Sequence, residues 1–152
     1  MMMKKTTKYF FIIFLSIFVN GCFIDLIKQE NKETLLDDGK HWYVYKIVLK
    51  SGEEIIPTQN AKSTMEFDAD EDRIFGVGSC NNYFATFALK GKKLTMSNAG
   101  SSRRVCYPTE DNRYEFLFVR GLNGTFVVSR NYKEMLLKGS EISYYLRLKA
   151  DE

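Results

Sequence analysis

Between His41 and Lys149, apolar residues return at every second position in short runs, and turn-forming residues separate one run from the next. A period of two sends successive side chains to opposite faces, so each run suits a strand with one face in a core and one toward solvent. The chain has 152 residues, enough for one domain around one core. Hydrophobic residues make up 45%, with 12 Phe and 9 Tyr, so that core can be filled. Disorder is excluded as the state of the whole chain.

The run HWYVYKIVL, His41 to Leu49, is aromatic and β-branched and opens the domain. Ser63 to Asp68 brings Met65 and Phe67 to one face, the acidic Asp68 to Asp72 makes a turn, and Arg73 to Gly78 returns. Tyr83 to Leu89, the turn Lys90-Gly91-Lys92 and Lys93 to Met96 form a second hairpin. Thr125 to Ser129, Glu134 to Lys138 and Ile142 to Lys149 follow, with turns at Asn131 and at Gly139-Ser140. After Pro108 the period changes: Tyr114, Leu117 and Phe118 recur at helical spacing, Leu122 follows, and Thr109, Glu110 and Asp111 suit a helix N-terminus. Gly121 or Gly124 would end that helix. The predicted fold class is α+β, a predominantly antiparallel, curved, barrel-like sheet with one late helix over about 109–122.

The first 21 residues have the layout of a secretory signal: a basic start with Lys4, Lys5 and Lys8, an apolar run from Tyr9 to Val19, and the exit Asn20-Gly21. The apolar run is about eleven residues, whereas a helix crossing a bilayer core of about 30 Å needs roughly twenty. Extending it would place Asn20 and Asp25 in lipid. Val19-Asn20-Gly21-Cys22 resembles a bacterial lipobox, with an ordinary secretory cut beside an incidental thiol as the alternative. The resemblance implies a diacylglyceryl thioether on Cys22 and cleavage after Gly21. Two or three acyl chains, at about 0.8 kcal/mol per buried CH₂, would hold the chain on a membrane. Phe23 rather than Asp after the lipidated cysteine favours the periplasmic face of an outer membrane, with inner membrane and cell surface left open. Residues 22–40 then read as a lipidated N-terminus and flexible tether, with a short helix near Lys32 to Leu36, and 41–149 as the folded domain. Removing the three leader lysines from 22 basic residues leaves 19 against 19 acidic ones, a balance that argues against a nucleic-acid partner.

With Cys22 assigned to the lipid, Cys80 and Cys106 remain, and an even pair in an exported chain suggests a disulfide. Two buried free thiols are the alternative. A metal pair lacks support, because no Cys-x-x-Cys or His-rich spacing accompanies them.

Gly76-Val77-Gly78-Ser79-Cys80-Asn81-Asn82-Tyr83-Phe84 resembles the Gly-x-Gly-Gly-Cys-Asn-x-aromatic block of the META/HslJ-like family. Other blocks follow the family's order: Trp42 opening the first strand, Met65-Glu66-Phe67 before the Cys-Asn block, Ser102-Arg103-Arg104-Val105-Cys106 in place of Thr-x-Met-Ala-Cys, and the late strands with Leu136-Leu137 and Leu146-Arg147-Leu148. Ser79 stands where the family has glycine, Ala85 where a glycine often follows the aromatic, and Arg104-Val105 where Met-Ala is usual. The resemblance covers about 41–149. It implies a small extracytoplasmic domain, often lipidated and linked to envelope stress, with no known catalysis and no cofactor.

The inventory of reactive groups is thin. His41 is the single histidine and lies beside Trp42 at the domain's edge, where a partly exposed strand residue is expected rather than a base. Asp68, Asp70, Glu71 and Asp72 miss the EF-hand spacing and read as a solvated turn. Gly76 and Gly78 lack the helix and the Lys-Ser/Thr of a phosphate loop and suit a bulge or close strand packing. Asn81 is expected to organise the turn into Tyr83 by bonding nearby backbone. Arg103 and Arg104 form a cation pair that could meet an acidic partner or a lipid phosphate. The expected function is non-catalytic binding in the cell envelope, through a membrane-inserted lipid and an envelope protein partner. The alternative is a periplasmic inhibitor or small-ligand binder using the 81–84 turn with Arg103 and Arg104.

Overall fold

The computed structural model describes residues 35–36, 40–58 and 62–148. Nine strands and one helix follow in order: β1 (Trp42–Leu49), β2 (Glu54–Ile55), β3 (Thr64–Asp68), β4 (Arg73–Val77), β5 (Asn82–Lys90), β6 (Lys93–Ser101), α1 (Glu110–Gly121), β7 (Gly124–Arg130), β8 (Glu134–Gly139) and β9 (Ile142–Leu148). Every pairing is antiparallel. Strand β1 pairs with both β3 and β9, so eight strands close into a barrel and β2 is a short ribbon added beside β1. Closure leaves the eight strands no long free edge. The barrel-like α+β expectation holds, and the late helix lies where its period put it.

Bulges explain where the alternating pattern breaks. In β1, Trp42 and Val44 face the core, but strict alternation would then bury Lys46. A register shift between Val44 and Lys46 opposite β9 moves the phase by one residue, and Ile47 becomes the next core side chain. Lys46 is left outside, where its Nζ meets Glu54 Oε1 at 2.9 Å. In β6 the alternation ends at Met96, which is why the sequence suggested a strand only that long. Asn98 adopts a left-handed conformation with φ of 56°, and pairing resumes with Gly100 opposite Phe84. The two-residue β2 carries no periodic signal and was not anticipated.

The barrel interior is filled by Trp42, Ile47, Met65, Phe67, Ile74, Leu94, Val128, Leu137 and Leu146, among others. Leu36 belongs to the same core: it is fully buried, and the indole N–H of Trp42 donates to its carbonyl at 3.0 Å. Burying a leucine contributes roughly 1.5–3 kcal/mol. Core packing therefore reaches back to Leu35, six residues before His41, inside the stretch that composition alone marked as tether. The leader, Cys22 and Lys32 to Thr34 of the suggested short helix lie outside the described residues, as does Lys149.

The two ends of the barrel differ. One end holds Leu36, the start of β1, the acidic β3–β4 turn, the Lys90-Gly91-Lys92 turn and the β7–β8 turn at Tyr132. The other holds the β4–β5 connection with Cys80, the segment 102–109, α1 and the β8–β9 turn. Helix α1 closes that second end. Its Phe118 ring lies 5.1 Å from Tyr83 and 5.3 Å from Tyr144, and the Tyr144 hydroxyl donates to the Phe118 carbonyl at 2.7 Å.

Candidate functional site

The site is the corner at the helix-closed end where the β4–β5 connection, segment 102–109 and α1 meet. Cys80 and Cys106 are joined there by a disulfide with an S–S distance of 2.09 Å. Beside it, three backbone N–H groups in succession, of Ser79, Cys80 and Asn81, donate to Glu115 Oε2 at 3.0, 2.9 and 3.0 Å. Consecutive amides turned toward one point form an anion nest, and here the anion is the protein's own buried carboxylate. Gly78 keeps the approach open, since a Cβ on it would sit 3.1 Å from Glu115 Cγ.

Asn81 performs the second fixation. Its Oδ1 accepts from the Ser102 hydroxyl at 2.9 Å and from the Arg104 N–H at 2.8 Å, while its Nδ2 donates to the Arg104 carbonyl at 2.9 Å. Asn112 does the same for the next bend: Oδ1 accepts the Cys106 N–H at 2.7 Å and Nδ2 donates to the Cys106 carbonyl at 3.0 Å. An amide side chain offers both a donor and an acceptor, so one Asn can satisfy the backbone of an irregular segment that has no strand partner. Asp111, also buried, accepts from the N–H and hydroxyl of Thr58 at 3.3 and 2.8 Å. The polar residues at the start of α1 thus tie three irregular segments to the barrel.

Each residue singled out in the sequence that lies among the described residues now has a place. Asn81 and Tyr83 are buried, and the Tyr83 hydroxyl donates to the Thr64 carbonyl at 2.8 Å. The polar atoms of both face the domain's own backbone, and the exposed members of the 81–84 turn are Asn82 and Phe84. Arg103 and Arg104 are exposed, with one Nη of Arg104 donating to the Cys80 carbonyl at 3.0 Å. His41 Nδ1 lies 2.8 Å from Glu66 Oε1 at the opposite end of the barrel, away from the disulfide corner. In the acidic turn, Asp68 Oδ1 accepts the N–H groups of Asp70 and Glu71 at 3.1 and 3.0 Å, and Arg73 pairs with Glu71 at 2.8 Å. Gly76 lets β4 approach Thr64, whose carbonyl would overlap any added Cβ.

Glu115, Asp111 and Asn112 were missed. Asp111, Tyr114, Glu115 and Phe118 share one buried face of α1, so two carboxylates stand at core positions of an amphipathic helix. That placement was readable and demanded partners.

Cys80, Cys106 and Glu115 bring their ligand atoms within 4.8 Å of one another. The two sulfurs are bonded to each other, which leaves no thiolate for a metal. Burial raises the phenol pKa of Tyr83, Tyr114 and Tyr144 above its ordinary value, so these groups stay neutral donors. At the same end, a cleft of about 420 Å³ lies between the last turn of α1 and the β8–β9 turn, with Leu117, Arg120, Asn123, Phe126 and Ile142 on its walls.

No curated protein matches the chain. Solved structures share its fold, and two of them were determined by NMR. An NMR structure of a protein from Burkholderia xenovorans is 19% identical, with a TM-score of 0.64 over 79% of this chain and 88% of that one. A second NMR structure is 16% identical, with a TM-score of 0.57 over 76% of this chain and 92% of that one. The META domain family model matches residues 33–152, which takes in Leu36 and every strand described, and the chain belongs to the META-domain family.

Proposed function

We propose that this chain is a lipid-anchored, non-catalytic protein of the bacterial cell envelope that contributes to envelope integrity under stress by binding. The observation that carries the non-catalytic reading is the disulfide corner. Asn81 and Asn112 are committed to backbone on both their oxygen and their nitrogen, and Glu115 to three amides. Groups so engaged hold a shape rather than exchange protons with a substrate. The anchor rests on Val19-Asn20-Gly21-Cys22, and Phe23 supports the periplasmic face of the outer membrane. A disulfide fits that oxidising compartment.

Cys22→Ala tests the anchor. Incorporation of labelled palmitate into the parent chain and its loss in the variant, together with release from membranes or retention of the leader, is the expected result. Normal processing and membrane sedimentation of the variant would refute lipidation at Cys22. A second reading, an inhibitor or small-ligand binder of the periplasm, is favoured by one observation: Arg103 and Arg104 project from a backbone already fixed in shape. With Asn81 and Tyr83 buried, that reading keeps Asn82 and Phe84 of the 81–84 turn together with Arg103 and Arg104.

A further inference from the structure

Three large apolar side chains stand in solvent at the helix-closed end, on segment 102–109 and on α1. Val105 is 85% exposed, Tyr107 93% and Phe116 60%. Val105 and Tyr107 flank Cys106, whose backbone is gripped by Asn112 of α1. Phe116 lies four residues after Asn112 and Arg120 four after Phe116, so all three share one stripe of the helix. The Arg120 guanidinium is 5.8 Å from the Phe116 ring centre. Isolated exposed apolar residues are ordinary, but a group of them on a rigid support marks an interaction surface.

Rigidity here is built rather than incidental. Arg104 has both its N–H and its carbonyl bonded to Asn81, Cys106 has both bonded to Asn112, and the disulfide fixes Cys106 to the β4–β5 connection. A surface ordered before contact loses little conformational entropy on binding. Its exposed charge is mostly positive: Arg103, Arg104 and Arg120 stand against Glu110 in the first turn of α1, while Asp111 and Glu115 are buried. Tyr and Arg are also the residue types that dominate binding hot spots.

We infer that the ridge of Arg103, Arg104, Val105, Tyr107, Phe116 and Arg120 docks a folded extracytoplasmic protein whose contact surface is an apolar depression rimmed by carboxylates. A protein is favoured over a bilayer by the direction of the chain. Leu36 enters the core at the end where β1 begins, so a tether from Cys22 leaves the barrel at the pole opposite the ridge. This last step rests on the lipid anchor proposed above. The domain is then joined to its anchor through the pole away from the ridge.

The test places a photo-crosslinking residue at Tyr107, at Phe116, or at Tyr132 on the opposite pole, in the full chain in living cells. The expected result is the same protein adduct from Tyr107 and Phe116, absent from Tyr132, with the crosslinked partner peptide carrying acidic residues. Combining the probe with Arg103→Glu and Arg120→Glu is expected to lower the adduct about tenfold, as charge reversal does at complementary interfaces. Adducts to lipid alone, adducts equal at all three positions, or an adduct indifferent to the charge reversals would overturn the ridge. Membrane sedimentation of the parent chain is scored in the same cells. A soluble chain that still crosslinks at Tyr107 sinks the anchor and keeps the ridge, whereas a membrane-bound chain without the adduct sinks the ridge alone.

Discussion

Glu115 accepts the backbone N–H of Cys80 at 2.9 Å with a carboxylate buried against the core side of α1. The same oxygen also takes the N–H groups of Ser79 and Asn81. Glu115→Ala would leave three donors without an acceptor in a poorly hydrated corner, at a cost of about 3–5 kcal/mol, whereas Glu115→Gln keeps an acceptor and loses only the charge, at about 1–2 kcal/mol. Urea unfolding followed by the fluorescence of Trp42, the single tryptophan, reads both. Equal losses for the two variants would show that the charge does not matter.

The disulfide and the nest act on the same connection by different means. Joining Cys80 to Cys106, 26 positions apart, restricts the unfolded chain by roughly 3–4 kcal/mol in the loop-entropy account. Cys80→Ala and Cys106→Ala are expected to lower the melting temperature by similar amounts, and the double variant by no more than either. Additive losses in the thermal scans would mean that the two sulfurs contribute separately.

The barrel was legible where one residue in two is apolar and strands are joined by Gly or Asn turns, as in Arg73–Val77 and Asn82–Lys90. It was not legible at Lys46 or beyond Met96, because a bulge changes the phase and a bulge is fixed by the partner strand, not by the local sequence. The site divides in the same way. Cys80, Cys106 and the backbone-organising role of Asn81 follow from residue type and from the even pair of cysteines that remains beside Cys22. Glu115 was legible only through its position one residue after Tyr114 and three before Phe118, because a glutamate on a helix usually faces solvent. Leu36 was hidden by its charged neighbours, since its burial depends on the indole of Trp42 reaching back to it.

Asn81 separates donor from acceptor chemistry. Asn81→Asp keeps an oxygen for Ser102 and Arg104 N–H but turns a second oxygen toward the Arg104 carbonyl, where Nδ2 now donates at 2.9 Å. Two acceptors facing each other repel, so Asn81→Asp is expected to cost at least as much as Asn81→Ala, about 2–3 kcal/mol. Denaturant midpoints of the two variants decide this, and an Asp variant close to the parent would rule out the donor role.

Three phenols predict an alkaline limit. Tyr83, Tyr114 and Tyr144 are buried, and that burial pushes their pKa above the value near 10 that they take in an unfolded chain. Folding then favours the protonated form. Their contribution is fully present below about pH 10 and is lost as pH climbs toward the raised folded values. An alkaline titration should show the exposed tyrosines ionising first and these three only as the fold is lost. Phenolate absorbance completed for every tyrosine while the far-ultraviolet circular dichroism is unchanged would refute it.

Ser79 carries the clearest local conflict. It occupies a position where the family block has glycine, and its side-chain oxygen is buried without a hydrogen-bond partner among the described residues. The backbone N–H of Ser79 is satisfied by Glu115, so the hydroxyl alone is out of place. A buried polar group without a partner loses hydration and gains nothing in return. Ser79→Ala removes the oxygen, keeps the Cβ contacts and leaves the amide nest untouched, and should stabilise the domain by about 1 kcal/mol. Ser79→Gly removes the same oxygen but frees the unfolded backbone, which offsets the gain by about 0.5–1 kcal/mol. The expected order of melting temperatures is therefore Ala above Gly, with Gly near the parent. A parent more stable than the alanine variant would mean that the hydroxyl is bonded in solution and that the corner is more polar than its protein groups alone make it.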